Sequence, residues 1–159
     1  MSQAYSYADI ESFVSRFWLD PQTGLPAKCY TTPYAYSATF AALAQNGVQT
    51  QQIQIQANAD FICLDIAIRA NIAAAQNEST MTAAFVRLLI TDTGSNEQWT
   101  NTAQDVENYC TNGQRQTSLP YPRIVQGRSS LQLQATNYAP VAETYSFDIM
   151  LEGVQVRRY

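Results

Sequence analysis

Ser130-Leu131-Gln132-Leu133-Gln134-Ala135-Thr136 alternates apolar and polar side chains with the two-residue period of a strand buried on one face. After a turn at Asn137-Tyr138-Ala139-Pro140, the stretch Tyr145-Ser146-Phe147-Asp148-Ile149-Met150-Leu151 repeats that alternation. Gly153 interrupts it, and Val154-Gln155-Val156 resumes on a shifted face, as a bulged strand does. Upstream, Leu119-Pro120-Tyr121-Pro122-Arg123-Ile124 is held extended by its two prolines. The segment from Leu119 to Tyr159 therefore reads as strands of a sandwich, with Leu131/Leu133 packed on Phe147/Ile149/Leu151 in its core.

The preceding sequence fits the same architecture. Asn46-Gly47 is a hairpin signal, so a strand is expected on either side: Ala38 to Leu43 before it, Gln49 to Ala57 after it. Beyond a turn at Asn58-Ala59-Asp60, Phe61 to Ala70 sets Ile62, Leu64, Ile66 and Ile68 on one face and Asp65 and Arg69 on the other. Phe61 and Cys63 require that second face to be partly covered. A small polar loop, Asn71 to Thr80, leads to a strand over Met81 to Thr91, with Phe85-Val86 and Leu88-Leu89-Ile90 covered on both sides. Asp92-Thr93-Gly94-Ser95 turns, Trp99 begins a short segment, and Asn101 to Ser118 is a polar loop containing Cys110 and Asn112-Gly113. Roughly seven to nine short strands at this spacing imply an all-β, two-sheet, jelly-roll-like sandwich over residues 38–159.

Residues 1–37 read as an N-terminal arm. Ser6-Tyr7-Ala8-Asp9 caps a short helix, and Ile10, Phe13, Val14 and Phe17 recur at helical spacing, with Trp18 completing an aromatic face. Asp20-Pro21-Gln22-Thr23-Gly24 ends the helix, and residues 25–36, with two prolines and three tyrosines, are an extended connection. The helix either closes the sandwich's own core or docks on a neighbouring subunit.

Composition narrows the function. A chain of 159 residues is about one domain, able to bury roughly 70% of its unfolded surface. Only 14% of residues are charged, and 17 glutamines and 9 asparagines supply the polar surface instead. Such a surface repels little and suits packing beside copies of itself or a partner. Net charge is −4, with Lys28 the sole lysine and no basic run, which argues against nucleic-acid binding. There is no histidine, and Cys29, Cys63 and Cys110 are odd in number and widely spaced. That argues against zinc sites and histidine-based catalysis, and unpaired thiols point to assembly in a reducing cytoplasm. No secretory leader or membrane span is expected, since no apolar run approaches ~20 residues.

Without histidine, catalysis would fall to carboxylates or a thiolate. Asp60, Asp65, Asp148 and Glu152 are the strand-borne acids a glycosidase would need as an inward-facing pair. Asp65 and Asp148 fall at outward polar positions, and Cys63 has no base to activate it. Asp92-Thr93-Gly94-Ser95-Asn96-Glu97 gathers oxygens yet lacks the ligand spacing of a calcium loop. Tyr5, Tyr7, Tyr30, Tyr34 and Tyr36 fall in extended segments rather than on one strand, so tyrosine reads as interface or core before sugar platform. The expectation is a non-enzyme needing no metal or cofactor.

Three stretches resemble small sandwich proteins of tailed-bacteriophage virions, the cement or decoration subunits of capsids. They are Leu43 and Asn46-Gly47 followed by Gln52-Ile53-Gln54-Ile55-Gln56-Ala57-Asn58-Ala59-Asp60-Phe61; Leu119-Pro120-Tyr121-Pro122-Arg123-Ile124 running on to Leu131; and Thr136-Asn137-Tyr138 leading to Tyr145, Phe147, Ile149, Leu151 and Gly153-Val154. Residues 1–37 stand outside the resemblance. It implies a jelly-roll-like virion subunit, assembled in the host cytoplasm, that forms a dimer or trimer and binds a major capsid protein or other virion protein. It brings no catalytic residues, no nucleic acid and no membrane. Phe13, Phe17 and Trp18 near one terminus and Arg157, Arg158 and Tyr159 at the other are the expected contact residues, because arginine and aromatic groups anchor interfaces. The competing expectation is a carbohydrate-binding or tail-associated receptor-binding module, for which a compact platform of coplanar rings is the mark.

Overall fold

A computed structural model describes residues 4–72, 82–109 and 118–159. After helix α1 (Tyr7–Phe17) come β1 (Cys29–Leu43), β2 (Val48–Gln54), β3 (Asp60–Ile72), β4 (Val86–Asp92), β5 (Glu97–Gln98) and β6 (Gln104–Asp105). The short helix α2 (Val106–Tyr109) precedes β7 (Arg123–Val125), β8 (Ser130–Asn137) and β9 (Tyr145–Arg158). The expected loop over Asn71 to Thr80 and the segment with Cys110 and Asn112-Gly113 lie mostly or wholly outside the described residues.

The pairing is that of one long antiparallel ribbon doubled back on itself. β1 pairs with β9, β2 with β8, β3 with β7, and β4 with both β5 and β6. Rolling the ribbon adds the β3–β9 and β4–β8 pairs and yields two sheets, β1-β9-β3-β7 and β2-β8-β4-β5. This is the jelly-roll sandwich. Its core lies between the sheets. Leu131 and Leu133 of β8 belong to the same buried cluster as Phe147, Ile149 and Leu151 of β9, and Phe40 stacks on Phe147 with centroids 4.7 Å apart.

Four readings are corrected. The Asn46-Gly47 turn is not a hairpin tip. Gly47 N–H donates to the Ala44 carbonyl and Asn46 adopts φ 59°, but the strands it joins belong to different sheets. Turn chemistry dictates a reversal, not the partner. The domain boundary expected at 37/38 falls inside β1, which begins at Cys29 because β9 runs on to Arg158 beside it. The bulge lies not in β9 but opposite Gly153 in β3, where the register skips Leu64 between Cys63 and Asp65. Phe61 and Cys63 therefore face the core before the bulge, and Ile66, Ile68 and Ala70 after it. Finally, Phe85 points outward against Tyr138 while Ala84, Val86, Leu88 and Ile90 alternate inward, so β4 has one covered face there.

On β9 the alternation never shifts. Gln155 continues the inward set of Leu151, while Val154 and Val156 face outward and are nonetheless buried, because α1 lies across them.

Candidate docking surface

α1 begins where the sequence predicts. Ser6 Oγ accepts from Asp9 N–H at 3.2 Å and Asp9 Oδ2 accepts from Ser6 N–H at 2.9 Å, a reciprocal capping box. These bonds to Ser6 hold the Asp9 carboxyl below its ordinary range. Val14 and Trp18 bury themselves on Ile62, Val154 and Val156, with Ile10 and Phe13 alongside. Trp18 Nε1 donates to Asp60 Oδ2 at 2.8 Å, and Asp60 Oδ1 accepts from Gly127 N–H at 2.9 Å. One carboxylate thus ties α1, β3 and the β7–β8 turn together.

Trp18 is therefore part of the domain's packing, not a surface anchor. What α1 presents outward is Phe17, 4.7 Å from Phe13, which in turn meets Tyr121 edge-on at 6.0 Å. Phe17 is 46% exposed and Tyr121 59%. Beside them a cleft of about 290 Å³ opens between α1 and β3, lined by Tyr5, Ile10, Phe13, Leu64 and Pro122. Sequence reasoning missed Tyr121, because only the tertiary fold brings the Pro120-Tyr121-Pro122 segment against α1.

The C-terminal trio is split between faces. Arg158 is exposed opposite Cys29, whose thiol burial pushes up while Arg158 pulls it down. Arg157 lies on the face of Gln155, donating to Gln155 Oε1 at 3.2 Å, and Tyr159 packs on Tyr30 at 5.3 Å. Gln155 Nε2 reaches Gln56 Oε1 at 3.1 Å, and Gln56 Nε2 donates to Tyr34 OH at 2.9 Å. Tyr30, Tyr34 and Tyr36 do share one strand, contrary to expectation, since β1 starts early. Their rings are not coplanar: Tyr34 and Tyr36 meet at 61°, Tyr30 and Tyr159 at 56°.

The acids do not converge. Asp60 is engaged as above, and Asp65 Oδ1 accepts from Ile66 N–H at 2.7 Å within the bulge. Asp148 and Glu152 are exposed on the outer face of β9. Asp92 Oδ1 accepts from Gly94 N–H at 2.8 Å, so its carboxylate closes a turn. Among the described residues no group of three or more His, Cys, Asp or Glu could hold a metal ion. Cys63 is buried, its Sγ 3.4 Å from the Asp65 carbonyl.

One pocket escaped the sequence. At the β4–β7 end of the sandwich, Trp99, Tyr121, Ile66, Gln104, Asn108 and Arg123 line about 390 Å³. Arg123 Nη2 donates to the Trp99 carbonyl at 3.2 Å, and its Nη1 lies 3.6 Å from Glu97. No family model matches the chain, and no curated protein or solved structure matches it either.

Proposed function

We propose that the chain is a virion structural protein, a cement or decoration subunit that self-associates and binds a major capsid protein. The observation that carries this reading is the Phe13–Phe17–Tyr121 cluster, aromatic surface left partly exposed where α1, fixed to the outside of the sandwich, meets the Pro120-Tyr121-Pro122 segment. Aromatic groups of this kind anchor interfaces, and the exposed Arg158 would steer the subunit toward an acidic capsid face. A surface of amides suits many weak contacts repeated over a lattice, which add through effective concentration. The resemblance of its strand segments to capsid cement proteins points the same way. The test is binding to particles that lack the protein, followed by imaging. Wild-type protein should decorate them, while F17S/Y121S, unchanged in melting temperature, should not; equal binding by both overturns the assignment of this face.

The pocket beside Trp99 supports a second reading, a tail-associated receptor-binding module taking a saccharide. An indole with the Arg123 guanidinium over one face, 6.0 Å from the ring centre, and with Gln104 and Asn108 lining the same pocket has the chemistry to stack on and hydrogen-bond a sugar ring through its other face. Calorimetric titration with oligosaccharides distinguishes it: saturable binding lost in Trp99→Ala would favour this reading over cement.

A further inference from the structure

A sandwich has four sheet edges, and three of these are blunted. β1 carries Pro33 and a register irregularity between Phe40 and Leu43, where Ala42 takes φ 50°. β7 is three residues long, and β5 and β6 are two residues each. Prolines, bulges and brevity are the devices that keep sheet edges from pairing with other chains. β2 has none of them. Val48-Gln49-Thr50-Gln51-Gln52-Ile53-Gln54 pairs with β8 along seven residues without a register break, and among the described residues no strand pairs with its opposite edge.

The edge also lacks charge. Between Lys28 and Asp60 the sequence contains no Asp, Glu, Lys or Arg, a run of 31 residues that includes both β1 and β2. In a chain that is 14% charged, the β1–β2 flank is thus the side with no electrostatic guard of its own. Val48 is 54% exposed, and Thr50 and Gln52 stand exposed on the outer face. Gln54 is folded back, its Nε2 donating to the Arg128 carbonyl at 2.9 Å, which leaves the strand's approach open.

We propose that β2 is a self-association strand, adding antiparallel to β2 of a second copy of this chain about a twofold at Gln51. This deepens the reading of the chain as a self-associating subunit and rests on it. A twofold at Gln51 is the register that pairs all seven residues: Val48 with Gln54, Gln49 with Ile53, Thr50 with Gln52, and Gln51 with itself. No pair brings like charges together, and facing amides and hydroxyls can hydrogen-bond across the seam. Pairing of like edges closes at the dimer and removes both free edges at once, whereas a strand from a different protein would remove only one.

Register makes the test sharp. T50K/Q52K sets lysine opposite lysine twice across the twofold, on exposed positions that do not affect the core. T50K/Q52E sets lysine opposite glutamate at the same places. Light scattering at micromolar concentration should find wild type dimeric or built from dimers, T50K/Q52K dissociated at least about tenfold more easily, and T50K/Q52E restored. All three should give the same circular dichroism spectrum, and T50K/Q52K should melt lower than the other two only by what loss of the dimer accounts for. If T50K/Q52K assembles as well as wild type, the strand is not the seam, though self-association itself stands. If T50K/Q52E stays as dissociated as T50K/Q52K, the register is wrong. A strictly monomeric wild type overturns both this inference and the self-association it rests on. If wild type pairs only on addition of capsid particles, the occupant of the edge is a capsid strand and not a second copy.

Discussion

Gly153 on β9 lies directly against the carbonyl of Ile62 on β3: a Cβ at position 153 would overlap that oxygen. The contact lies beside the bulge, where the register passes from Cys63 opposite Gly153 to Asp65 opposite Glu152 and skips Leu64. Glycine is here a packing requirement, as the backbones approach too closely for any side chain.

Gly153→Ala should therefore destabilise the domain by about 1–3 kcal/mol or more, the scale of overpacking in a rigid interior. Denaturant titration measures it. A midpoint equal to wild type would mean that the two strands can separate without cost.

Leu133 is fully buried between the sheets, in the cluster that also holds Phe147 and Ile149. Leu133→Asp places a carboxylate there with no partner, at a cost of several kcal/mol, and should leave the chain unfolded. Circular dichroism and melting temperature report it; a soluble variant with native melting would place this face in water.

Trp18 joins α1 to the sandwich through packing on Val154 and Val156 and through its bond to Asp60. Trp18→Ala should cost about 3–5 kcal/mol, as for other buried aromatic truncations. Deleting residues 1–19 should cost at least as much, because it uncovers Ile62, Val154 and Val156 together. If the truncated protein melts as the full chain does, α1 is a detachable arm.

The legible part of the fold was whatever depends on local period. Leu131/Leu133 and Phe147/Ile149/Leu151 alternate, and so do the strands that carry them. Ser6 and Asp9 announced the start of α1. The illegible part depends on what covers a strand. Val154-Gln155-Val156 looked like a face change because nothing local says that a helix 140 residues earlier shields the outer face. Tyr30, Tyr34 and Tyr36 looked like a connection because Pro33 interrupts them, yet an edge strand tolerates proline. Of the expected contact residues, Phe13 and Phe17 come together and Trp18 is withdrawn. Arg157, Arg158 and Tyr159 part company because neighbours on a strand point to opposite faces.

Tyr145 is 1% exposed, and its hydroxyl donates to Glu143 Oε2 at 2.6 Å. Burial first, and the bond to the Glu143 carboxylate second, push its pKa from an ordinary 10.0 up to about 12. The folded chain thus holds this proton more tightly than the unfolded chain does. Stability from this group is complete below about pH 10, where both states keep the proton, and is lost as pH rises through about 12. Tyr5 is raised by burial and by Asp9, and shifts stability in the same direction. Melting temperature should therefore be insensitive to Tyr145 ionisation up to pH 9 and fall steeply between 10 and 12. Tyr145→Phe, which has no proton to lose, should flatten that fall while remaining folded at neutral pH. If both proteins lose stability along the same alkaline curve, the tyrosine responsible is another one, and the Tyr145–Glu143 bond does not restrain ionisation.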